Sequence, residues 1–275
     1  MPSSNARALE KAKTIAADGI IFDLEDAVAP DAKELAREQA CAAAGSHDYG
    51  ERTLTIRCNG LDTPWGHDDL AAAARSGASA VVIPKVSGAH HLTQVVNGLS
   101  DAGAPDSLTV WAMVETPAGV FAVRDIAGFE RVSVLVLGTN DLAKELRAAL
   151  VPGRAPLLPH LATTLLAARE AGVMVLDGVY NDVKDLEGFE AECRQGMEMG
   201  FDGKTLIHPS QVEIANRVWA PTDEAVDHAR RVIEAFDEAQ RDSRGVVTVD
   251  GRMIENLHVD NARRTLSVAE AIAAL

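Results

Sequence analysis

The stretch "LTVWAMVETPAGVFAVRDIAGFERVSVLVLGTND", residues 108–141, contains two strand patterns with a helix pattern between them. The runs at 108–116 and 133–141 are continuously apolar before they reach polar residues, which is typical of strands buried on both faces of a parallel sheet. Thr116 followed by Pro117 predicts a helix start, because threonine caps helices and proline suits the first helical position. The stretch therefore predicts a strand, a helix and a second, parallel strand.

The same unit recurs along the 275 residues. Five further strand patterns lie at 19–26, 53–59, 80–85, 173–178 and 203–208. The regular spacing favours a (β/α)8 barrel, and no G-x-G-x-x-G follows the first strand to favour a doubly wound sheet. We expect residues 1–220 to form the barrel with its first strand largely missing, because a helix pattern follows Met1 and Pro2 almost directly.

Residues 221–275 predict a smaller segment. Two extended runs flank Asp250-Gly251, a dipeptide that suits a two-residue hairpin turn, and helix patterns lie on both sides. We expect a helix–hairpin–helix lid, too short to bury a core of its own, that packs on the barrel or on a neighbouring subunit.

Composition excludes several classes of function. The formal net charge is -15 and no Lys/Arg-rich block is present, which argues against nucleic-acid binding. No apolar run is long enough to span a membrane and no secretory signal is visible, so a soluble, cytoplasmic protein is expected. Cys41, Cys58 and Cys193 lack C-x-x-C spacing, which indicates neither disulfides nor a zinc site.

Polar residues collect where the predicted strands end, and in a barrel these ends form the active site. Glu115 and Asp141 end consecutive strands, so their carboxylates could converge on a hard cation, most plausibly Mg²⁺. Glu25 and Asp26 could orient metal-bound waters. A simpler interpretation, that Glu115, Asp141 and Asp26 only cap or stabilise neighbouring helices, stays open. The remaining strand-end residues are Asp23, Arg57, Asn59, Pro84, Lys85, Asn140, Asp177 and His208.

Two of these residues have competing interpretations. Arg57, inside an apolar strand, is either a buried ion-pair partner of Glu25 or Asp26 or a bidentate clamp for a substrate carboxylate or enolate oxygen. His208 is either a general base or, as its position before a proline-initiated helix favours, a structural or ligand-contacting residue.

Several ordered motifs together resemble the citrate lyase beta subunit and malyl-CoA lyase branch of the HpcH/HpaI aldolase family. Within that branch, the resemblance is strongest to malyl-CoA lyase and malyl-CoA thioesterase members. The motifs are "FDLEDAVAPDAKELAR" (22–37), "TIRCNGLDTPWG" (55–66), "VVIPKV" (81–86), "MVETPAG" (113–119), "LGTNDLAKEL" (137–146), "DGVYND" (177–182), "GFDGKTLIHPSQVEIAN" (200–216) and "VDGRMIENLHVDNARRTL" (249–266).

The resemblance implies a homotrimer or hexamer whose C-terminal lid acts in trans. It also implies Mg²⁺-dependent cleavage or formation of a carbon–carbon bond in a 3-hydroxyacyl-CoA such as malyl-CoA or citramalyl-CoA, with Mn²⁺ as a possible substitute metal. Glu115 and Asp141 become metal ligands and Arg57 the contact to the substrate carboxylate and oxyanion. The resemblance also implies that backbone groups of Gly138, Thr139 and Asn140 hold the 2-keto acid. The residues that would line the CoA side of the site are Pro84, Lys85, Asp177 and His208.

Glu255 of the lid becomes the acid/base that acts on the acetyl-CoA enolate, at a position where many lyases carry aspartate. A displacement of about 1 Å at this carboxyl can cost roughly a hundredfold in rate, so hydrolysis of the thioester is a second function compatible with the same site. Two further functions stay open. One is that of a non-catalytic barrel that binds acyl-CoA or serves as a scaffold, and the other is that of an aldolase acting on free acids.

Overall fold

The computed structural model describes residues 1–241 and 247–274. The chain divides into two compact units, Met1–Val218 and Trp219–Leu275. Within the described residues, none of the helices is both long and apolar enough to cross a membrane.

The first unit is built on a seven-stranded sheet whose strands pair in chain order. All six pairings are parallel, and helices connect consecutive strands. This arrangement confirms the predicted TIM-barrel class. The strands are β1 (Gly19–Asp23), β2 (Thr53–Arg57), β3 (Ala80–Ile83), β4 (Thr109–Val114), β5 (Val132–Leu137), β6 (Met174–Asp177) and β7 (Gly203–Lys204).

Most of these strands end two or three residues before the predicted limits. Asp23, Arg57 and Asp177 are the last residues of their strands, and the other polar residues lie in the loop or helix that follows. Only two residues of the strand predicted at 203–208 form a strand in the structure, since His208 is already the N-cap of a 3-10 turn, Pro209–Gln211.

The helices of the first unit follow the predicted alternation. Thr116 caps its helix as expected: its Oγ1 accepts a hydrogen bond from the Gly119 amide at 3.0 Å. The helices are α1 (Ala6–Ala12), α2 (Lys33–Ala44), α3 (Gly66–Ala73), α4 (Ala89–Asp101), α5 (Pro117–Phe121), α6 (Val123–Ala127), α7 (Thr139–Leu146), α8 (Leu158–Ala171), α9 (Leu186–Met199) and α10 (Val212–Trp219), which ends one residue into the second unit.

One helix boundary differs from the sequence interpretation. If Asp141 were a cap, α7 would begin at Leu142, but the helix begins at Thr139 with Gly138 as its N-cap. Asp141 is thus in the first helical turn, where a carboxylate is favourable next to the helix dipole but does not occupy the cap position. The capping interpretation of Asp141 is wrong.

The sheet has one face that leads to the candidate site. Because side chains alternate along a strand, residues two apart share a face. An apolar cluster of Val82, Met113, Val134 and Val136 covers this face, packed by Ile21, Trp111 and Leu176. Asp23 and Glu115 follow Ile21 and Met113 by two residues, so the same alternation places them on this face at the carboxyl ends of the strands.

The edge of β1 is occupied by the first three residues of the chain. The Asp23 amide donates to the Met1 carbonyl at 2.8 Å, and the Ser3 amide donates to the Asp23 carbonyl at 3.1 Å. Pro2 and Asp23 form an isolated parallel bridge. The segment therefore pairs along β1.

The second unit contains α11 (Asp223–Arg241), a hairpin of β8 (Val247–Val249) and β9 (Arg252–Ile254), and α12 (Asn256–Ala273). Asp250 and Gly251 have φ of 51° and 77°, as a two-residue hairpin turn of the predicted kind requires. Residues 245–246 of the predicted hairpin lie outside the described residues. The unit also has an apolar cluster of its own, which the sequence interpretation did not expect: Ala229, Val232, Val249, Ile254, Val259 and Ala262.

Candidate functional site

Glu115 lies directly after β4, and strand register decides its surroundings. Val114 pairs with Leu137 of β5, and the Gly138 amide donates to the Val114 carbonyl at 3.1 Å. Glu115 therefore lies beside Gly138, the residue that precedes the first residue of α7. A Cβ at Gly138 would lie 2.2 Å from Glu115 Oε2, so only glycine leaves room for the carboxylate in this position.

The Glu115 carboxylate is buried, with 1% of the residue exposed. Its Oε1 accepts a hydrogen bond from the Lys85 backbone amide at 2.8 Å, and Lys85 adopts a left-handed backbone with φ of 49°. The pKa of Glu115 is raised to about 7, mainly by burial; the charges of Glu25 and Asp141 act in the same direction, and the hydrogen bond and charge of Lys85 oppose them. The Glu115 carboxyl therefore loses its proton only near neutral pH, well above the range of an exposed glutamate.

Arg57, the last residue of β2, pairs directly with Asp23, the last residue of β1. The Arg57 Nε and Nη2 atoms donate to the two oxygens of the Asp23 carboxylate, both at 2.6 Å. Burial opposes ionisation of Asp23, but the hydrogen bonds and charge of Arg57 outweigh it and lower the pKa of that carboxyl. One edge of the guanidinium is thus held rigidly by β1.

The other edge of Arg57 faces Glu25. The Arg57 Nη1 atom lies 3.0 Å from Glu25 Oε2, yet this oxygen accepts no hydrogen bond, so the contact is an ion pair without hydrogen-bond alignment. Glu25 Oε1 accepts from Lys85 Nζ at 3.0 Å, and the Lys85 side chain is 47% exposed. The predicted Arg57–Glu25 ion pair is present, whereas the main partner of Arg57 is Asp23.

A buried lysine stabilises the loops that follow β1 and β2. Lys33, the first residue of α2, donates to the carbonyls of Leu24 and Glu25 at 2.6 and 2.8 Å and to Asn59 Oδ1 at 2.7 Å. Asn59 in turn donates to the Leu24 carbonyl and to Asp69, a fully buried carboxylate. The loops after β1 and β2 are therefore joined through one ammonium group.

The donor set suits a magnesium ion. Among the described residues, no group of three or more His, Cys, Asp and Glu side chains is placed to hold a metal. Mg²⁺ does not need one, since it is commonly held by one or two carboxylates with waters and substrate oxygens completing the octahedron. Glu115, a buried carboxylate of raised pKa, and Asp141, whose charge contributes to that rise, are the candidate pair.

The backbone expected to hold a 2-keto acid forms the start of α7. Thr139 is buried, and the side chains of Asn140 and Asn181 exchange two hydrogen bonds, at 3.0 and 2.7 Å. The amide groups of Thr139 and Asn140 lie at the N-terminus of α7, where a helix favours anionic groups, whereas the Gly138 amide is used by the Val114 carbonyl. Their contact with a ligand stays a prediction.

Asp177 and Lys204 do not lie on an accessible surface. Asp177 is fully buried, and its carboxylate accepts from Arg154 Nη1 at 2.7 Å and from Lys204 Nζ at 3.0 Å. Glu192 completes the cluster through Lys204 at 2.8 Å. The buried ion pairs account for Asp177 as a structural residue, and this placement does not favour a side-chain contact with CoA.

His208 is exposed and caps the Pro209–Gln211 turn. Its Nδ1 accepts from the Ser210 amide at 3.2 Å and lies 2.8 Å from Ser210 Oγ. This geometry favours the structural interpretation of His208 over the general-base interpretation.

Three more of the predicted site residues have few specific contacts. Pro84 is buried and precedes the left-handed Lys85, Asp26 is exposed beside the acidic loop, and Glu255 is an exposed residue at the start of α12. The Glu255 amide donates to His258 Nδ1 at 3.0 Å. The role of Glu255 as an acid/base from another subunit stays a prediction.

Sequence reasoning did not single out Lys33 or Asp69. A signal for Lys33 was present, because a cation in the first turn of a helix is unfavourable next to the positive end of the helix dipole. A lysine in that position needs a compensating partner, and here the partners are two carbonyls and an amide oxygen.

Comparison with known proteins gives consistent matches. A model of the family described as HpcH/HpaI aldolase/citrate lyase matches residues 1–209, and a model described as C-C bond lyase of the TIM-barrel fold matches residues 155–273. A (3S)-malyl-CoA thioesterase of Cereibacter sphaeroides is 52% identical over 274 residues, which cover 100% of this chain and 94% of that protein.

Two further matches are a curated relative and a solved structure with bound ligands. Citrate lyase subunit beta of Escherichia coli is 36% identical, with 98% of this chain and 91% of that protein covered. The crystal structure of CitE from Mycobacterium tuberculosis, in complex with magnesium, acetoacetate and coenzyme A, superposes with a TM-score of 0.79 at 28% identity. This match covers 98% of this chain and 96% of that one.

Proposed function

Because the chain belongs to the HpcH/HpaI aldolase/citrate lyase family, we propose that it is a Mg²⁺-dependent enzyme that hydrolyses a small 3-hydroxyacyl-CoA, (3S)-malyl-CoA in the first place. The observation that carries the proposal is the buried Glu115 carboxylate, which accepts a hydrogen bond from the Lys85 amide and fits against Gly138. Its pKa is raised by burial and by the charges of Glu25 and Asp141. The identity of 52% to a malyl-CoA thioesterase along the whole chain supports hydrolysis as the reaction.

Carbon–carbon bond cleavage, the reaction that the sequence interpretation favours, is the second candidate. The lyase family model over residues 155–273 and the similarity to citrate lyase subunit beta support it. Both reactions need the same constellation, since each polarises a carbonyl of the bound acyl-CoA and stabilises a developing negative charge on oxygen.

Glu115 and Asp141 would hold Mg²⁺, which when bound supplies Lewis-acid polarisation of substrate oxygens. The Arg57 guanidinium has five N–H donors, of which Asp23 uses two, so the Nη1 edge keeps donors for a carboxylate or an oxyanion. Lys85, half-exposed and held by Glu25, offers a second cation to an anionic ligand.

In the hydrolysis, water adds to the thioester carbonyl and CoA leaves as a thiol, so that free malate and CoA are the products. Glu255 from a neighbouring subunit would accept the proton of the attacking water. The trimeric or hexameric assembly that this requires is part of the proposal.

The decisive experiment follows (3S)-malyl-CoA with purified protein, with Mg²⁺ and with EDTA, using two product traps in parallel. A thiol reagent detects free CoA, which only hydrolysis releases, while phenylhydrazine detects glyoxylate, which only carbon–carbon cleavage releases. Free CoA without glyoxylate supports the proposal, and glyoxylate with acetyl-CoA supports the second candidate. Binding of CoA esters without either product would favour a non-catalytic barrel, and turnover of free acids alone would favour an aldolase.

Thermal stability should report on Mg²⁺ binding without any turnover. The pKa of Glu115 in the folded protein is about 7, above its ordinary value of 4.5, so its contribution to stability is full below pH 4.5 and is lost as the pH rises through 7. Mg²⁺ should offset this loss where the carboxylate is ionised. We expect Mg²⁺ to raise Tm roughly twice as much at pH 8 as at pH 6, measured by differential scanning fluorimetry with Ca²⁺ and K⁺ as ionic controls. Equal Mg²⁺ effects at both pH values would contradict a metal site at Glu115.

Gly138→Ala should displace the Glu115 carboxylate. The new Cβ would lie 2.2 Å from Glu115 Oε2 and 2.4 Å from Glu115 Cβ, and the backbone φ of −98° is open to alanine, so the effect is purely steric. A shift of about 1 Å at a reacting group can lower turnover roughly a hundredfold, and we expect a loss of that size in kcat/KM. Gly128→Ala is the matched control, because its Cβ would meet no atom closer than 3.4 Å. Full activity of Gly138→Ala would show that Glu115 is not needed in its observed position.

A further inference from the structure

Lys33 lies close to the candidate site but is 5% exposed, so it does not reach a ligand. Its ammonium has three protons, and three oxygens accept them at 2.6 to 2.8 Å: the carbonyls of Leu24 and Glu25 and Asn59 Oδ1. The ammonium also lies 5.2 Å from the centre of the Trp65 ring. Every donor of this side chain is used to fix the backbone of one loop and the side chain of the next.

The loop fixed by Lys33 carries the partners of Arg57. Leu24 and Glu25 follow Asp23, whose carboxylate holds Arg57, and the Glu25 carboxylate stands 3.0 Å from both Arg57 Nη1 and Lys85 Nζ. The Asp23 carboxylate also accepts from the Glu25 amide at 2.9 Å, so a movement of this loop moves both carboxylates together.

Asn59 provides the second attachment. It follows Arg57 by two residues, and its Nδ2 donates to the Leu24 carbonyl at 2.9 Å and to Asp69 Oδ2 at 2.6 Å. Asp69 accepts from Arg37 Nε at 2.7 Å, which ties the network to α2. Lys33 thus binds both the loop after β1, whose Asp23 and Glu25 contact Arg57, and Asn59, which follows Arg57 in the chain.

We propose that Lys33 is a positioning residue for the reaction, which holds the loop after β1 so that Asp23 and Glu25 orient Arg57 and Lys85 toward the substrate. This inference rests on the proposed function for its kinetic test, but the geometry it claims has a test of its own. The hydrogen bonds of the Lys33 ammonium go to neither Glu115 nor Asp141, so its role is separate from holding the metal.

The first test is a double-mutant cycle on kcat/KM with Lys33→Met and Glu25→Gln. Lys33→Met alone should lower kcat/KM by roughly a hundredfold, because Arg57 and Lys85 lose their orientation. In the Glu25→Gln background, the same change should cost only about tenfold, since one of the two carboxylates to be positioned is already absent and Asp23 remains. Independent, additive losses in the two variants would overturn the inference, because a residue with only a general structural role does not act through Glu25.

The second test needs no turnover. Exchange of the Arg57 Nε proton, followed in ¹H–¹⁵N spectra, should be about tenfold faster in Lys33→Met while amide protons of β5 exchange as before. Lys204→Met is the matched control, because that lysine has a buried side chain at the end of another strand and should leave Arg57 exchange unchanged. Lys33→Gln, whose amide still donates, replaces Lys33→Met if the latter does not fold.

The two proposals fail separately. Unchanged Arg57 exchange in the Lys33 variants overturns the positioning role, whatever the protein catalyses. Faster exchange, combined with no turnover of (3S)-malyl-CoA by the unaltered protein, overturns the proposed function and leaves the positioning role in place.

Discussion

Glu115→Gln is expected to lower kcat/KM by roughly a thousandfold or more while making the metal-free protein more stable at pH 8. Glutamine keeps the shape of the side chain and can still accept from the Lys85 amide, but its amide is a poor ligand for Mg²⁺. Lewis-acid stabilisation is worth several kcal/mol of the barrier, which corresponds to a loss of about this size.

The gain in stability has a different cause. At pH 8 the Glu115 carboxylate is ionised, buried and close to two further carboxylates, so its charge destabilises the folded state. The neutral amide removes this charge, and we expect a higher Tm than that of the unaltered protein without metal, together with loss of the Mg²⁺-dependent rise.

The control for this variant is Glu38→Gln, at an exposed position of α2, which should change neither Tm nor activity. Activity is followed with the two product traps, and Tm is followed by scanning fluorimetry with and without Mg²⁺. A Glu115→Gln protein that remains active, or that still responds to Mg²⁺, would remove Glu115 from the metal site.

Arg57→Lys is expected to lower kcat/KM by about a hundredfold to a thousandfold while the Mg²⁺-dependent rise in Tm persists. Lysine keeps the positive charge beside Asp23, so the buried carboxylate is not left without a counter-ion. It loses the planar fork that binds Asp23 with two donors and presents others on a second edge. Removal of one donor to a developing oxyanion commonly costs a loss of this size.

The kinetic parameters distinguish two roles for Arg57. A loss in kcat with little change in KM indicates contact with the oxyanion that develops in the transition state, whereas a rise in KM indicates contact with the substrate carboxylate. Arg124→Lys is the control, since Arg124 is an exposed residue of α6 that pairs with Glu170. Activity of Arg57→Lys within about threefold of the unaltered protein would contradict any direct role in the reaction.

Much of the fold was predictable because its determinants are local. Continuous apolar runs at regular spacing predict buried parallel strands, and Thr116-Pro117 and Asp250-Gly251 predict a helix start and a hairpin turn from the backbone preferences of those residues alone. Strand ends were less predictable, because polar residues at the end of an apolar run can belong either to the strand or to the loop or helix that follows it.

The sequence predicted most residues of the candidate site, but it did not predict which of them contact each other. Glu115, Asp141 and Arg57 were identified because they follow or end apolar runs, and the charge of Asp141 does act on the Glu115 carboxyl, whereas a metal shared by the two stays a prediction. The choice of Asp23 over Glu25 as the main partner of Arg57 depends on register, which no local pattern in β1 or β2 reveals.

By itself, the sequence determined where strands and helices alternate and which carboxylates lie at or soon after the strand ends, since these depend on side-chain polarity along the chain. Only the tertiary structure decided that Lys33 joins two loops, that Asp177 is enclosed by Arg154 and Lys204, and that Gly138 makes room for Glu115. Each of these contacts links residues that are separated along the chain, and their partners are chosen by strand register and packing rather than by neighbouring residues.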